Sequence, residues 1–427
     1  MTSLMWFRRD VRLVDNPALL AASAAGPVVP VFVLDPRLTR PSGTPRLAFL
    51  LRSLKVLEES LGGALVLRVG DPSDVVPRLS EEAGASAVFA AADFGPYGRD
   101  RDAAVATRLA RAGVAFEAVE SPYAVPPDGI TKSDGTPYRV FTPFYRAWRE
   151  HPPAAPAPIP PGLAPAHHIA SDPFPPEPQV DAELPVPGEA GARQRLDEFV
   201  GGEIDAYEQD RDRPDRDHTS RLSPYLKFGC IHPRQVLDRL GKGRAHEALR
   251  RQLAWRDFYA QVLLHHPGNV RRAFRPELDA IEWTGGEEEF TAWTEGRTGF
   301  PLVDAGMRQL AATGWMHNRA RLVAATFLTK DLHVDWRRGE AYFMRLLLDG
   351  DVAQNNGNWQ WVSSVGVDPA PMQRRLYNPE LQRRRHDPGG EYVRRWIPEL
   401  DDDYPEPIVD HAVERRAAIA AYRAAKL

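Results

Sequence analysis

Several things are scarce or missing in the sequence, and each absence narrows what the chain can be. It has one cysteine, Cys230, which excludes an internal disulfide and fits a reducing cytoplasm. No apolar run reaches the roughly 18 residues of a membrane span. The N-terminus MTSLMWFRRDVRL puts its apolar stretch before its arginines, the reverse of a secretory signal. An excess of one charge sign is also missing, since 54 basic residues meet 58 acidic ones. Any hold on nucleic acid must therefore come from a local basic patch. Neither G-x-G-x-x-G nor G-x-x-x-x-G-K-[ST] occurs, which argues against an ordinary NAD or ATP domain. H-E-x-x-H is absent, and His167-His168 and His265-His266 lack partners at ligand spacing, so no metal is expected. Nothing resembles a nucleophile elbow.

What is present divides the chain in three. With 427 residues, 43% of them hydrophobic, two or three domains are expected. In residues 1–125, five short apolar runs (4–7, 28–35, 64–70, 85–91 and 114–120) read as buried strands separated by helical stretches. That alternation predicts an α/β domain with a doubly wound parallel sheet, its ligand at the carboxyl ends of the strands. Residues 126–188 read as an inter-domain linker, because 152–187 alone carry thirteen prolines, which suit an extended connector. From 189 to 427 the pattern turns to 3.6-residue periodicity, as in RAHEALRRQLAWRDFYAQVLLHH, and predicts an all-α domain.

Eight of the ten tryptophans fall in that helical part. Core packing explains most single tryptophans, but Trp255, Trp315 and Trp359 have arginine, asparagine or glutamine beside them. Such company suits stacking on a flat ring while hydrogen-bonding its edge. HTSRLSPYLKFG (218–229) is either a capped helix start or a phosphate cradle. The arginine-rich 373–396 is either a solvated face or a contact to a phosphate backbone. In DGDVAQNNGNWQW (349–361), a helix would align Asp351, Asn355 and Trp359 on one face. Amides beside an indole form either a satisfied buried network or a wall of a redox-cofactor site, where a non-titrating amide can bond several states of a ring.

Together these stretches resemble the photolyase/cryptochrome family over essentially the whole chain. The likeness is carried by WFRRDVRLVDNPAL, YRVFTPFYRAW, TSRLSPYLKFG, WRDFY, FPLVDAGMRQLAATGWMHNR, FLTKDLHVDWRRGE, DGDVAQNNGNWQW, GGEYVRRWIPEL and YPEPIVDH. The resemblance is to bacterial class I members that repair cyclobutane pyrimidine dimers. It implies FAD in the helical domain, with Tyr207 and Thr219, Ser220, Arg221, Leu222 and Ser223 around its phosphates and ribose. Gln252, Arg256, Asn318, Asp349, Asp351 and Asn355 would contact the flavin or adenine. Trp359, Trp336 and Trp283 match the family's electron-passing tryptophans. UV-damaged DNA is the implied partner, its dimer flipped out of the stack against Trp255, Trp361, Gln252, Asn318 and Arg319. The reaction implied is light-driven electron transfer from reduced FAD to the lesion, by a monomer.

An antenna pigment is implied in the N-terminal domain, where Arg8, Asp35, Arg46, Asp93, Phe94 and Lys227 resemble the contacts of 8-hydroxy-5-deazaflavin binders. Folate binders carry Asn-Glu where this chain has Tyr97-Gly98, which disfavours methenyltetrahydrofolate. Two departures bear on the substrate. Gln252 replaces a glutamate typical of cyclobutane-specific members, and MQRRLYNP replaces a shorter arginine–isoleucine–phenylalanine–asparagine–proline run. Asn318 and Leu322 stand where a (6-4) photolyase has its two catalytic histidines. The alternative on the same scaffold is a blue-light cryptochrome, expected to carry a longer C-terminal extension.

Overall fold

The computed structural model describes residues 2–161, 163 and 169–425; His167 and His168 lie outside them. The five expected strands form as β1 (Thr2–Phe7), β2 (Val28–Leu34), β3 (Val66–Val69), β4 (Ala85–Ala90) and β5 (Ala115–Ala118). All pairings are parallel, in the order β3-β2-β1-β4-β5. Burial on both faces explains why the central strands read as unbroken apolar runs. With the period of two, Met5, Phe7, Phe32 and Leu34 face one layer of core, while Leu4, Trp6, Val29 and Val31 face the other. The strand order reverses between β1 and β4, which opens a crevice at their carboxyl ends.

One of these cores does not stop at the sheet. It continues through Phe49 and Leu54 into Tyr225, Phe228, Leu249 and Leu253, so the sheet and the helical half share buried side chains. Gly229 makes the approach possible. Its φ of +66° ends the Ser223–Phe228 helix, and a Cβ there would overlap the Arg9 carbonyl.

The segment read as linker is not all connector. Residues 152–161 and 169–187 hold no helix or strand, but Phe141–Arg149 is a helix. Its Phe141, Phe144, Tyr145 and Trp148 recur at helical spacing and pack on Phe258, Tyr259 and Val262. The proline-dense stretch 152–187 begins only after it.

The helical half contains Arg244–His265, Pro301–Thr313, Asn318–Lys330, Trp336–Leu346, Val352–Val362 and His411–Ala424 among its helices. The periodic stretch 191–209 is broken. The Gly188–Glu198 helix gives way to a wide turn over Phe199–Glu203 and a tight one over Ile204–Ala206. Gly201 and Gly202, poor helix formers, lie at the break, and Tyr207 starts the next turn. Lys330, 1% exposed, donates from Nζ to the Val362 carbonyl at 2.6 Å and the Arg375 carbonyl at 3.0 Å. It thereby anchors the chain that leaves the Val352–Val362 helix.

Candidate functional site

A cavity lies among these helices. Ser220, Leu222 and Ser223 line it from the turn before the Ser223–Phe228 helix, and Leu249, Gln252, Leu253 and Arg256 from the Arg244–His265 helix. Asn318, Arg321 and Leu322 face it from Asn318–Lys330, with Phe343 and Tyr207 also at its wall. DGDVAQNNGNWQW and the residue after it supply another wall. Asp351, Gln354, Asn355, Asn358, Trp359 and Val362 all line the cavity, which is one face of the Val352–Val362 helix.

Each polar group on that face is held from behind. Asp351 caps the helix, accepting from the Ala353 and Gln354 amides at 3.0 and 3.2 Å, and pairs with Arg9 at 2.5 Å. Asn355 donates to the Glu340 carbonyl at 2.9 Å, and Gln354 to the Arg256 carbonyl at 2.8 Å. Asp349 takes a two-pronged bond from Arg321 at 3.1 and 2.8 Å. Burial alone would raise the Asp351 carboxyl, but Arg9, Lys227 and Arg256 hold it well below the usual carboxylate range. Behind Asn355, burial pushes the Glu340 carboxyl up to about 7.

Some of the expected residues stand outside the lining. Arg221, at φ 49°, pairs with Asp217 at 2.5 Å and lies 4.2 Å over the Trp315 ring. Thr219 is also off the wall, though its Oγ1 is buried with no hydrogen-bond partner beside Ser220. Trp255 and Trp361 are half-buried on the wall-forming helices rather than in the cavity, and Arg319 pairs with Asp212 at 2.8 Å. Trp336 and Trp359 are 1% and 2% exposed in one core cluster, with Trp283 packed at its edge against Tyr422. Gly339 sits one turn beyond Trp336, where a Cβ would overlap the Trp359 ring. Trp293, which the sequence did not single out, lies 6.2 Å from Trp359 and is fully buried. Arg321 was missed too; its signal was the i+3 spacing from Asn318 toward a carboxylate-bearing loop.

A second cavity occupies the crevice of the sheet. Arg8 and Arg9 follow β1, Asp35 follows β2, and Asp93, Phe94 and Tyr97 follow β4. Asp351 and Lys227 line both cavities. Desolvation lowers the Lys227 ammonium to about 8, with Arg9 adding to the effect. Asp93 is held low: burial would raise it, but Arg101, Arg9 and Arg8 outweigh that. Tyr97 donates to Asp35, and Arg101 to Asp93 at 3.2 Å. Of the six expected residues, five meet here and Arg46 does not. It reaches instead across the domain boundary to the Met344 and Leu347 carbonyls, at 2.5 and 3.2 Å. An arginine is well suited to cap a helix C-terminus, and the Trp336–Leu346 helix ends there. Arg9, Tyr97, Arg101 and Tyr123 are the additions; Arg9 adjoins the expected Arg8 but carries no spacing signal of its own.

Residues 249–402 match the family model described as the FAD binding domain of DNA photolyase, and residues 3–162 match that described as DNA photolyase. The chain belongs to the DNA photolyase/cryptochrome family. A deoxyribodipyrimidine photo-lyase of Thermus thermophilus is 41% identical, the match covering 97% of this chain and 96% of the relative. The Escherichia coli protein of that name is 37% identical over 100% and 99%. A class III photolyase structure from Agrobacterium tumefaciens superposes with a TM-score of 0.94 at 37% identity, covering 100% and 98%. A Synechocystis cryptochrome gives 0.92 at 27% identity, covering 98% and 99%. The Sulfolobus tokodaii photolyase, solved with two FAD molecules, gives 0.88 at 31%, covering 99% and 100%.

Within this family the residues present fit FAD in the first cavity. Leu253, Phe343 and Trp359 offer flat apolar walls for a ring. Ser220, Ser223 and the orphaned Thr219 hydroxyl offer donors to phosphate. Among the described residues no group of histidine, cysteine, aspartate or glutamate could hold a metal ion, and no helix is long and apolar enough to cross a membrane.

Proposed function

We propose that the protein repairs cyclobutane pyrimidine dimers in UV-damaged DNA, driven by blue light. The observation that carries the reading is the cavity face formed by Asp351, Gln354, Asn355 and Trp359, each group fixed from behind and open in front. FAD, when bound and reduced, supplies the photoexcited electron donor. The chain's work is to hold, orient and insulate. Asn355 offers an amide to the ring edge without titrating. Arg321 neutralises Asp349 beside it, and the apolar walls exclude water.

Trp359, Trp336 and Trp283 are assigned to electron supply from solvent to the cavity. Burial of the first two and the half-exposed position of Trp283 support that order. Trp255 and Trp361, with Gln252, Asn318 and Arg319, are assigned to the extruded lesion. Trp255 already stacks on Phe141, at 3.7 Å between centroids and 7° between planes, which fixes the plane of its ring. The charge-rich second cavity is assigned to an antenna, with 8-hydroxy-5-deazaflavin as the pigment.

The test is incubation of protein loaded with reduced FAD with DNA bearing one defined lesion, in blue light and in darkness. Cyclobutane dimers should disappear in light only, and (6-4) lesions should persist. Repair of (6-4) lesions would sink the substrate assignment, and photoreduction without any repair would favour a cryptochrome.

A further inference from the structure

Trp361 is half-buried, and its indole N–H finds its partner outside the helix that carries it. Its partners are Asp368 and, within MQRRLYNP (372–379), Arg375. Asp368 accepts from the Trp361 indole N–H at 2.9 Å. The same carboxylate oxygen accepts from Arg375 at 2.5 Å. The Arg375 guanidinium in turn lies 4.4 Å over the Trp361 ring. A held N–H stops the indole from turning in its plane, and a stacked guanidinium sets the plane itself. Arg375 is 2% exposed, and its carbonyl is tied to Lys330. Arg275 donates to the Ser364 carbonyl at 2.6 Å and to the Asp368 carbonyl at 3.4 Å, holding the chain beside Asp368 from a second side.

We propose that Asp368 and Arg375 are positioning residues that lock Trp361 in one orientation, covering one ring face and presenting the other to the lesion. Trp255 has the same arrangement, with Phe141 as its backing ring. The lesion site thus has two plates set before the DNA arrives. Preorganisation of this kind reduces the ordering cost on binding. The proposal rests on the assignment of Trp361 to the lesion site, so its test separates the two.

The experiment uses full-length protein loaded with FAD and labelled with 5-fluorotryptophan, as Asp368→Ala, Arg375→Lys, Trp361→Phe and the double variant Trp361→Phe/Asp368→Ala. The Trp361 fluorine resonance is identified by its loss in Trp361→Phe. It should shift and broaden in Asp368→Ala and move less in Arg375→Lys, which keeps the charge and loses the plane. In darkness, Asp368→Ala should lose about tenfold in affinity for dimer-containing duplex, the order of a buried cation–π contact plus a hydrogen bond. Affinity for intact duplex and the flavin absorption spectrum should stay unchanged. In the Trp361→Phe background, Asp368→Ala should cost nothing more. An unmoved resonance overturns the lock outright. A moved resonance with unchanged discrimination, or an equal loss without Trp361, overturns its role in recognition. Should the unsubstituted protein show no preference for dimer-containing duplex, the underlying lesion assignment fails, whatever the resonance does.

Discussion

Asp351 and Lys227 line both cavities, yet the polar groups on either side of them are held in different ways. On the helical side, Asn355, Gln354 and Asp349 are bonded from behind by a carbonyl or an arginine. On the sheet side, Arg101 pairs with Asp93, Arg8 with Asp102 at 2.5 Å, and Tyr97 with Asp35. Here the groups satisfy one another, two through ion pairs and one through a phenol–carboxylate hydrogen bond. In the first arrangement two of the three groups are tied to backbone carbonyls of neighbouring helices. In the second, a ligand must displace or join partners that already satisfy one another, so binding there is coupled to their charges.

The comparison breaks most sharply at the shared wall. Asp351→Ala removes the helix cap and strands Arg9. It should cost about 3 kcal/mol, from a cap worth about 1 and a partly buried charge left unpaired. Urea unfolding reads the loss, and both pigments should fall together. Gly339→Ala should act on one side only. The added methyl has no room against Trp359 and Leu328, so overpacking should cost about 1–3 kcal/mol. Photoreduction should slow, while a pigment in the sheet crevice binds as before.

Tyr97→Phe sharpens the comparison from the other side. Asp35 loses its donor, and pigment affinity in the crevice should change about fivefold, the size of one hydrogen bond. FAD content should not change. The smallest effect is a slope. The Glu340 carboxyl is raised from 4.5 to about 7 by burial. Its protonated form therefore favours the fold fully below about 4.5, and that contribution drains away as pH rises to about 7. Glu340→Gln should flatten stability across this window in thermal unfolding at stepped pH. It leaves the Asn355 anchor in place, since that bond is to a backbone carbonyl.

Period and composition carried the sheet well, because β1 and β2 are apolar on both faces and could be nothing else. They ran the connector over Phe141–Arg149, a helix that keeps its own spacing just before the proline-dense 152–187. The helix face of Asp351, Asn355 and Trp359 was legible from spacing alone, because i, i+4 and i+8 need no tertiary knowledge. Arg46 was not. Its side chain reaches carbonyls about 300 positions away in sequence, and no local pattern encodes such a partner. Arg9 and its bond to Asp351 were hidden for the same reason.

The central claim is that the helical cavity, and not the crevice, holds the flavin. The direct measurement is FAD bound per chain after saturation and gel filtration, for the natural protein and for Leu253→Trp. Leu253 is 4% exposed and lines the cavity, so the larger indole should fill it. One FAD per chain should fall to none, with pigment uptake by the crevice unchanged. Equal FAD in both proteins, or none in either, would contradict it.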